Sequence, residues 1–433
     1  MPKLLDQPRY KCALAAMQTV QSITRALPIL HSGPGCADKL QSGNYGGSGH
    51  FAPRVFPCTN LNEKDVVFGG TERLRETIAN ALKVINADLY VVLSSCSSEI
   101  IGDDMEEVIR SFQDAPKPVI FASTAGFKGN NFLGHEWVIQ AIIEQYLQPA
   151  AGKSKGLVNI WAGIPQHDPF WYGNLFALEN LVAQLGLTPN TIFGYDRGIK
   201  NIDKIPAAEF NLLVSPWVGL HNVQLLEEKF GTPYLHLPTL PVGAFETSKF
   251  LRAVGEFAGV DKAKTEAVIA GNEKKYYYFI ERFADVFLET RVRAKRFAVV
   301  ADAQYALAIT KFLVNDIGLF PAKQYVTDNT PPELQELIRQ EFKTLNYGIE
   351  AEVAFISDGY LIQQEIKDTY FNGYPLIIGS SWEKKIAQQT QAHYLAVSWP
   401  VNERLVINSS YVGYEGGLTL LEDIYSVVLT RFN

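Results

Sequence analysis

Short runs of β-branched and other apolar residues recur along the chain, each followed by a longer stretch with helical spacing. The runs are Ala87 to Cys96, Lys117 to Thr124, Gly156 to Gly163, Glu209 to Pro216, Arg296 to Asp302, Glu352 to Ser357, Pro375 to Ser381 and His393 to Pro400. Strands that are apolar on both faces need helices on both sides. This alternation therefore dictates α/β layers with mostly parallel sheets flanked by helices. A chain of 433 residues is too long for one such unit. The Pro/Gly/Lys-rich break Leu147 to Gly156 and the helical stretch Asp261 to Arg296 supply seams. Three α/β units are expected, at 1–150, 151–270 and 271–433.

The formal net charge of -7 argues against nucleic acid or an anionic membrane surface as a partner. No apolar run is long enough to span a bilayer. The opening MPKLLDQPRYKC has no signal-peptide architecture, so the cytoplasm is the expected compartment. There is no Walker A sequence, no GxGxxG after a strand, no HExxH and no GxSxG, so ordinary nucleotide-binding and hydrolase motifs are missing.

The four cysteines, Cys12, Cys36, Cys58 and Cys96, all lie near one end. Cys36 follows a Gly-Pro-Gly turn in HSGPGC, where glycine lets the backbone approach a ligand. Cys96 ends a strand and precedes a helix, at the sheet edge where open α/β folds bind ligands. A helix N-terminus also favours the thiolate, the form that binds metal. Cys12 precedes the helical pattern that begins at Ala13. The spacings C-x23-C and C-x59-C contain no CxxC, which disfavours a zinc ribbon or a ferredoxin-type cluster.

In context, LPILHSGPGC, EKDVVFGGTERLRETI and SSCSSEIIGDDMEEVI resemble the nitrogenase component 1 superfamily in order and spacing. The resemblance runs on through FASTAGFKGN (Phe121 to Asn130) and LLEEKFGTPYLHLPTLPVGAFETSKFLRAV to SSYVGYEGGLTLLEDI (Ser409 to Ile424), covering essentially the whole chain. It implies three Rossmann-like domains. It also implies an iron–sulfur cluster shared with a related subunit, to which Cys12, Cys36 and Cys96 contribute the thiolates of this chain. A P-cluster-like 8Fe-7S form is expected, with 4Fe-4S as the alternative. The implied partners are a homologous α-type subunit in an α2β2 complex and an ATP-hydrolysing iron protein that docks transiently. Electrons would pass through the shared cluster to a cofactor in the α-type subunit, so no catalytic residue is expected in this chain.

The segment NLLVSPWVGLHNVQLLEEKFGTPY contains no cysteine where the α-type subunit has one, and VGYEGG looks like the β-type subunit. The chain therefore reads as β-type. Gly126 stands where nitrogenase β subunits carry a serine able to ligate the oxidised cluster, and Lys11 replaces a proline before the first cysteine. These departures suggest a nitrogenase-like reductase, with methylthio-alkane reductase and its reductive C–S cleavage as the branch expected. The alternatives are a nitrogenase β subunit proper and a scaffold subunit for cofactor assembly.

Other residues carry two readings each. Cys58 is a further ligand or a buried thiol beside the ligands. His31 tunes the cluster's hydrogen bonding or is a satisfied loop histidine. His50, His135, His167, His221, His236 and His393 show no metal-ligand spacing and read as structural. Glu99, Asp103 and Asp104 form an acid/base set or cap the helix after Cys96. Phe170 to Tyr172 and Tyr276 to Phe279 read as core or interface. The glycine-rich stretch Gln41 to Pro53 shapes the cluster environment or is a surface loop.

Overall fold

A computed structural model describes residues 5–42, 56–288 and 294–430. His50 and all but the start of the glycine-rich stretch lie outside the described residues. The helical spacing from Ala13 predicts a helix through Leu27, yet that helix stops at Gln21 and Ala26–His31 is strand β1. Pro28 explains the difference. Its ring would break a helix interior but is tolerated on an edge strand, and β1 is an edge of its sheet.

The first sheet has the order β1-β2-β3, with β2 at Leu89–Ser94 and β3 at Val119–Ala122. The second comprises β4 (Ser154–Ala162), β5 (Thr188–Asn190), β6 (Ala208–Val214) and β7 (Tyr234–Leu237), in the order β5-β4-β6-β7. The third contains β8 (Arg296–Ala301), β9 (Phe320–Pro321), β10 (Gln324–Val326), β11 (Val353–Phe355), β12 (Leu376–Gly379) and β13 (His393–Ala396). Its order is β11-β10-β8-β12-β13, with β9 also paired to β8. Every strand pair in the three sheets is parallel. The α/β fold with parallel sheets flanked by helices is thus the one expected from the alternation. All six side chains of β2 are buried, as a central parallel strand requires. The helix Ala303–Asn315 is buried all round, and its Lys311 ammonium reaches Glu341 at 2.5 Å. The helical stretch expected over Asp261 to Arg296 is a helix from Lys262 to Arg282, capped by Asp261, and Arg296 already opens β8. Among the described residues no helix is long and apolar enough to cross a membrane.

The carboxyl ends of β4, β6, β8 and β10 converge on a cavity of about 30 Å³ that Asp168, Asp302 and Asp328 line. Burial pushes the Asp302 carboxyl up to about 7, helped by Asp328 and Asp168, and burial likewise pushes Asp168 up to about 6. A carboxyl that is raised on folding stabilises the fold fully below its ordinary range, and that stabilisation is lost as pH rises through the folded value. Asp302 also caps the helix Ala303–Asn315 through the Tyr305 N–H, a role asparagine can fill. Asp302→Asn is therefore expected to flatten the fall in stability between pH 4 and 8 by about 4 kcal/mol. Unfolding midpoints measured across that range check this.

Candidate functional site

Strands β1 and β2 end together, with His31 opposite Ser94. The Ser95 hydroxyl donates to the His31 carbonyl at 2.8 Å and ties the two ends. Beyond β1 the chain turns through Gly33 into the helix Pro34–Ser42, with Cys36 in its first turn. Proline suits that first position because its missing N–H would have no helical partner. Beyond β2, Ser95 caps the helix Cys96–Ile101, so Cys96 is its first residue. Beyond β3, Thr124 donates its N–H to Ser94 Oγ and its hydroxyl to the Ser94 carbonyl, both at 2.8 Å. That clamp brings the Gly126 N–H to 3.1 Å from Cys96 Sγ.

Cys12 arrives from the other side. It pairs as an isolated antiparallel bridge with Asn130, and the Lys11 N–H donates to Asn131 Oδ1 at 2.6 Å. The helix Asn131–Ala141 packs against the following turn at Gly134, where a Cβ would lie 2.3 Å from the Ala13 carbonyl oxygen. A Cβ at Gly126 would lie 2.5 Å from Cys12 Sγ and 3.4 Å from Cys96 Sγ. The two sulfurs are thus near neighbours, and the absence of a side chain at Gly126 is what lets Cys12 Sγ pack so close to the backbone there. Cys36 lies at the same edge, because the helix that carries it follows β1 as the Cys96 helix follows the adjacent β2. Cys12 and Cys36 are exposed. Desolvation by the surrounding loops pushes the Cys12 thiol up, with Cys96 adding to it, and desolvation pushes the Cys36 thiol up likewise. Metal binding at this edge must expel protons.

Cys58 is a neighbour with partners of its own. It bridges Leu30, and its sulfur lies 3.3 Å from Ser32 Oγ and donates to the Ser32 carbonyl at 3.4 Å. His31 is fully buried between Thr59 Oγ1 at 3.1 Å and Asp103 Oδ2 at 2.9 Å. Burial lowers its pKa, against the pull of Asp103. Asp103 Oδ1 in turn accepts the Gly70 N–H at 2.8 Å. The IGDD and VFGG sequences are therefore joined through one carboxylate. Gly69 supplies a φ of 92°, and Gly70 leaves room that Leu61 and Asp103 occupy.

Glu99, Asp103 and Asp104 do not form one set. Glu99 accepts from Ser94 and Ser123 and pairs with Lys128. Asp104 caps the next helix, Met105–Arg110. The cap before Cys96 is Ser95, whose hydroxyl reaches the backbone without placing a charge beside the sulfur. His135 holds Thr19 Oγ1 at 2.9 Å, and His236 meets the Ser215 carbonyl at 2.8 Å. Phe170 and Trp171 are core, Tyr276 is buried, and Tyr277 to Phe279 are partly exposed.

Sequence reasoning gave no sign of the apolar rim around the cysteines. Val67, Phe68, Ile100 and Phe127 are 71%, 79%, 75% and 60% exposed. Each stands on or beside a segment that carries or braces a cysteine. Large apolar side chains left this open mark a surface for another protein. Lys11 is a second unforeseen feature: burial pulls its ammonium down to about 7, and it lies 5.0 Å over the Trp399 ring.

Among the described residues no three His, Cys, Asp or Glu side chains converge on a single-ion site. Sulfurs spread along one partly exposed edge, with Gly126 letting two of them come near each other, suit a cluster of several irons completed by a second chain.

Residues 12–429 match the nitrogenase component 1 type oxidoreductase family. The chain belongs to that family. It is 24% identical to the nitrogenase molybdenum-iron protein beta chain of Clostridium pasteurianum, over 96% of this chain and 92% of the relative. It is 25% identical to the corresponding beta chain of Methanococcus maripaludis, over 97% and 93%. A solved structure titled nitrogenase Cp1 at pH 6.5 superposes with a TM-score of 0.83 at 22% identity, covering 100% of this chain and 95% of that one.

Proposed function

We propose that this chain is the β-type subunit of a nitrogenase-like reductase. Cys12, Cys36 and Cys96 hold its half of an iron–sulfur cluster, on the face covered by a homologous α-type subunit in an α2β2 complex. The observation that carries this reading is the sulfur edge itself: cysteines from three separate segments at one sheet edge, Cys12 and Cys96 brought together at Gly126, and Ile100 and Phe127 exposed beside them. Bound there, the cluster supplies one-electron oxidation and reduction.

The chain's own residues do the rest. The Gly126 N–H donates to Cys96 Sγ and steadies that sulfur; hydrogen bonds to sulfur also tune a cluster's potential. The His31–Asp103 pair fixes the VFGG turn beside the cysteines. Val67 and Phe68 present apolar surface for a docking protein, in this reading the ATP-hydrolysing iron protein. Seams near residues 150 and 270 divide the chain into its three domains, and the compartment is the cytoplasm.

The substrate class proposed is small methylthio compounds. Gly126 and Lys11, the two departures from the nitrogenase β pattern, support a branch other than nitrogen fixation. The reaction breaks one C–S bond: R–S–CH3, two electrons and two protons give R–H and CH3SH. The names of the relatives favour a second reading, a nitrogenase β subunit proper. An assay of the purified complex with its iron protein and ATP separates them. Methanethiol and alkane from a methyl thioether support the first reading. Ammonia from dinitrogen, with no thioether cleavage, overturns it in favour of the second. A cluster-loaded complex that reduces neither substrate points to an assembly scaffold.

A further inference from the structure

The carboxyl edge of an open parallel sheet is where α/β domains bind ligands. In the third sheet the part of that edge beyond β11, β12 and β13 is met by the chain's own residues 6–11, which lead directly into Cys12. After β11, the Gly359 N–H donates to the Asp6 carbonyl at 2.6 Å, and a Cβ at Gly359 would strike Arg9. After β12, Glu383 forms an ion pair with the Arg9 guanidinium, both side chains being buried. The other Glu383 oxygen accepts the Ser380 N–H at 2.8 Å and the Ser380 hydroxyl at 2.6 Å. Trp382 places its ring 5.0 Å from the Arg9 guanidinium carbon. After β13, Trp399 lies 5.0 Å from the Lys11 ammonium. The two indoles meet edge to face at 6.1 Å. Two cations, two residues apart, are thus each held over one ring of a packed pair. The far flank of Cys12 is fastened to the same domain, because Asn130, its bridge partner, donates its amide to the Asp328 carbonyl at 2.8 Å.

We propose that the third α/β domain positions Cys12 through this strap, with Arg9 and Glu383 as the positioning residues. The β11, β12 and β13 ends of the domain's ligand edge are thereby given over to the geometry of a sulfur that belongs to the first domain's site. The role of Cys12 as a cluster ligand rests on the function proposed above; its placement by Arg9–Glu383 does not.

The test uses Glu383→Gln, which leaves the buried guanidinium without its counter-charge. Glu341→Gln, which strips the partner from the equally buried Lys311 ammonium away from the strap, is the control for general destabilisation. Two readouts are taken. The first is the alkylation rate of Cys12 in metal-free chain, followed by peptide mass spectrometry. The second is the electron paramagnetic resonance spectrum of the anaerobically purified complex with its partner subunit. Glu383→Gln is expected to raise Cys12 alkylation several-fold, because a loosened strap frees the chain on one flank of the sulfur and opens its approach to the reagent. It is also expected to shift the spectrum, and Glu383→Asp to restore both in part. Glu341→Gln is expected to leave both near wild type. An unchanged Cys12 rate in Glu383→Gln, or an equal rise in Glu341→Gln, overturns the positioning role. A raised rate with an unaltered cluster spectrum leaves that role standing and removes Cys12 from the ligand set instead.

Discussion

Cys96→Ala is expected to leave a folded chain that no longer retains the interface cluster, with ATP-dependent reduction by the complex at least about 100-fold lower. The sulfur is the first residue of a helix whose cap, Ser95, stays in place. Alanine is a good helix former there, so folding has no reason to fail. The loss should therefore appear in the metal, not in the unfolding curve. Cys36→Ala is expected to behave alike, since Cys36 is exposed in the first turn of its own helix. Iron content, acid-labile sulfide and the visible spectrum of the complex read the effect. Cys58→Ala is expected to be milder, because that thiol is engaged with Ser32. A Cys96→Ala complex with full iron and full activity would sink the ligand assignment.

Gly126→Ala should also damage the site, although it removes no ligand. Its new methyl would sit 2.5 Å from Cys12 Sγ, well inside van der Waals contact, so one of the two must move. The Gly126 backbone is held by its N–H bond to Cys96 and by the Thr124 clamp on Ser94. Cys12 is the part that yields. The expected outcome is iron retention reduced several-fold with the fold intact, comparable to disturbing a group that orients a metal ligand. Serine at this position meets the same obstacle, so its hydroxyl is not a ready substitute ligand in this chain. A Gly126→Ala complex with wild-type iron content and spectrum would show that the close approach of Cys12 to residue 126 is not needed.

Much of this was legible in the sequence, for physical reasons that differ from element to element. Apolar runs such as Leu89–Ser94 and Phe297–Ala301 announce buried parallel strands, because a strand covered on both faces hides every side chain of so short a segment. Thr188–Asn190 and Gln324–Val326 are three residues each, too short to show a period. Ala26–His31 was hidden because Leu27 also fits the helical spacing that precedes it, at four and seven residues from Ile23 and Val20, while Pro28 was the local signal that could have ended the helix sooner. At the site, Gly-Pro-Gly before Cys36 and the strand-to-helix turn at Cys96 could be read as positions that present a sulfur. The convergence of Cys12 and Cys96 on Gly126 could not, because it depends on how the loop after β3 docks on Ser94. The strap from Asp6 to Lys11 was equally invisible. Its partners, Glu383, Trp382 and Trp399, lie more than 370 residues away, and neither Arg9 nor Glu383 carries a local sign that it will be buried.

The central claim is that this chain holds half of a cluster completed by a related subunit. The most direct measurement is on tagged chain isolated without oxygen, identifying the co-purifying proteins and counting iron and acid-labile sulfide per pair of subunits. An equimolar homologous subunit and iron well beyond one four-iron cluster per pair are expected, with the share at the interface lost in Cys96→Ala. A folded, colourless, iron-free chain that binds no related subunit would contradict it.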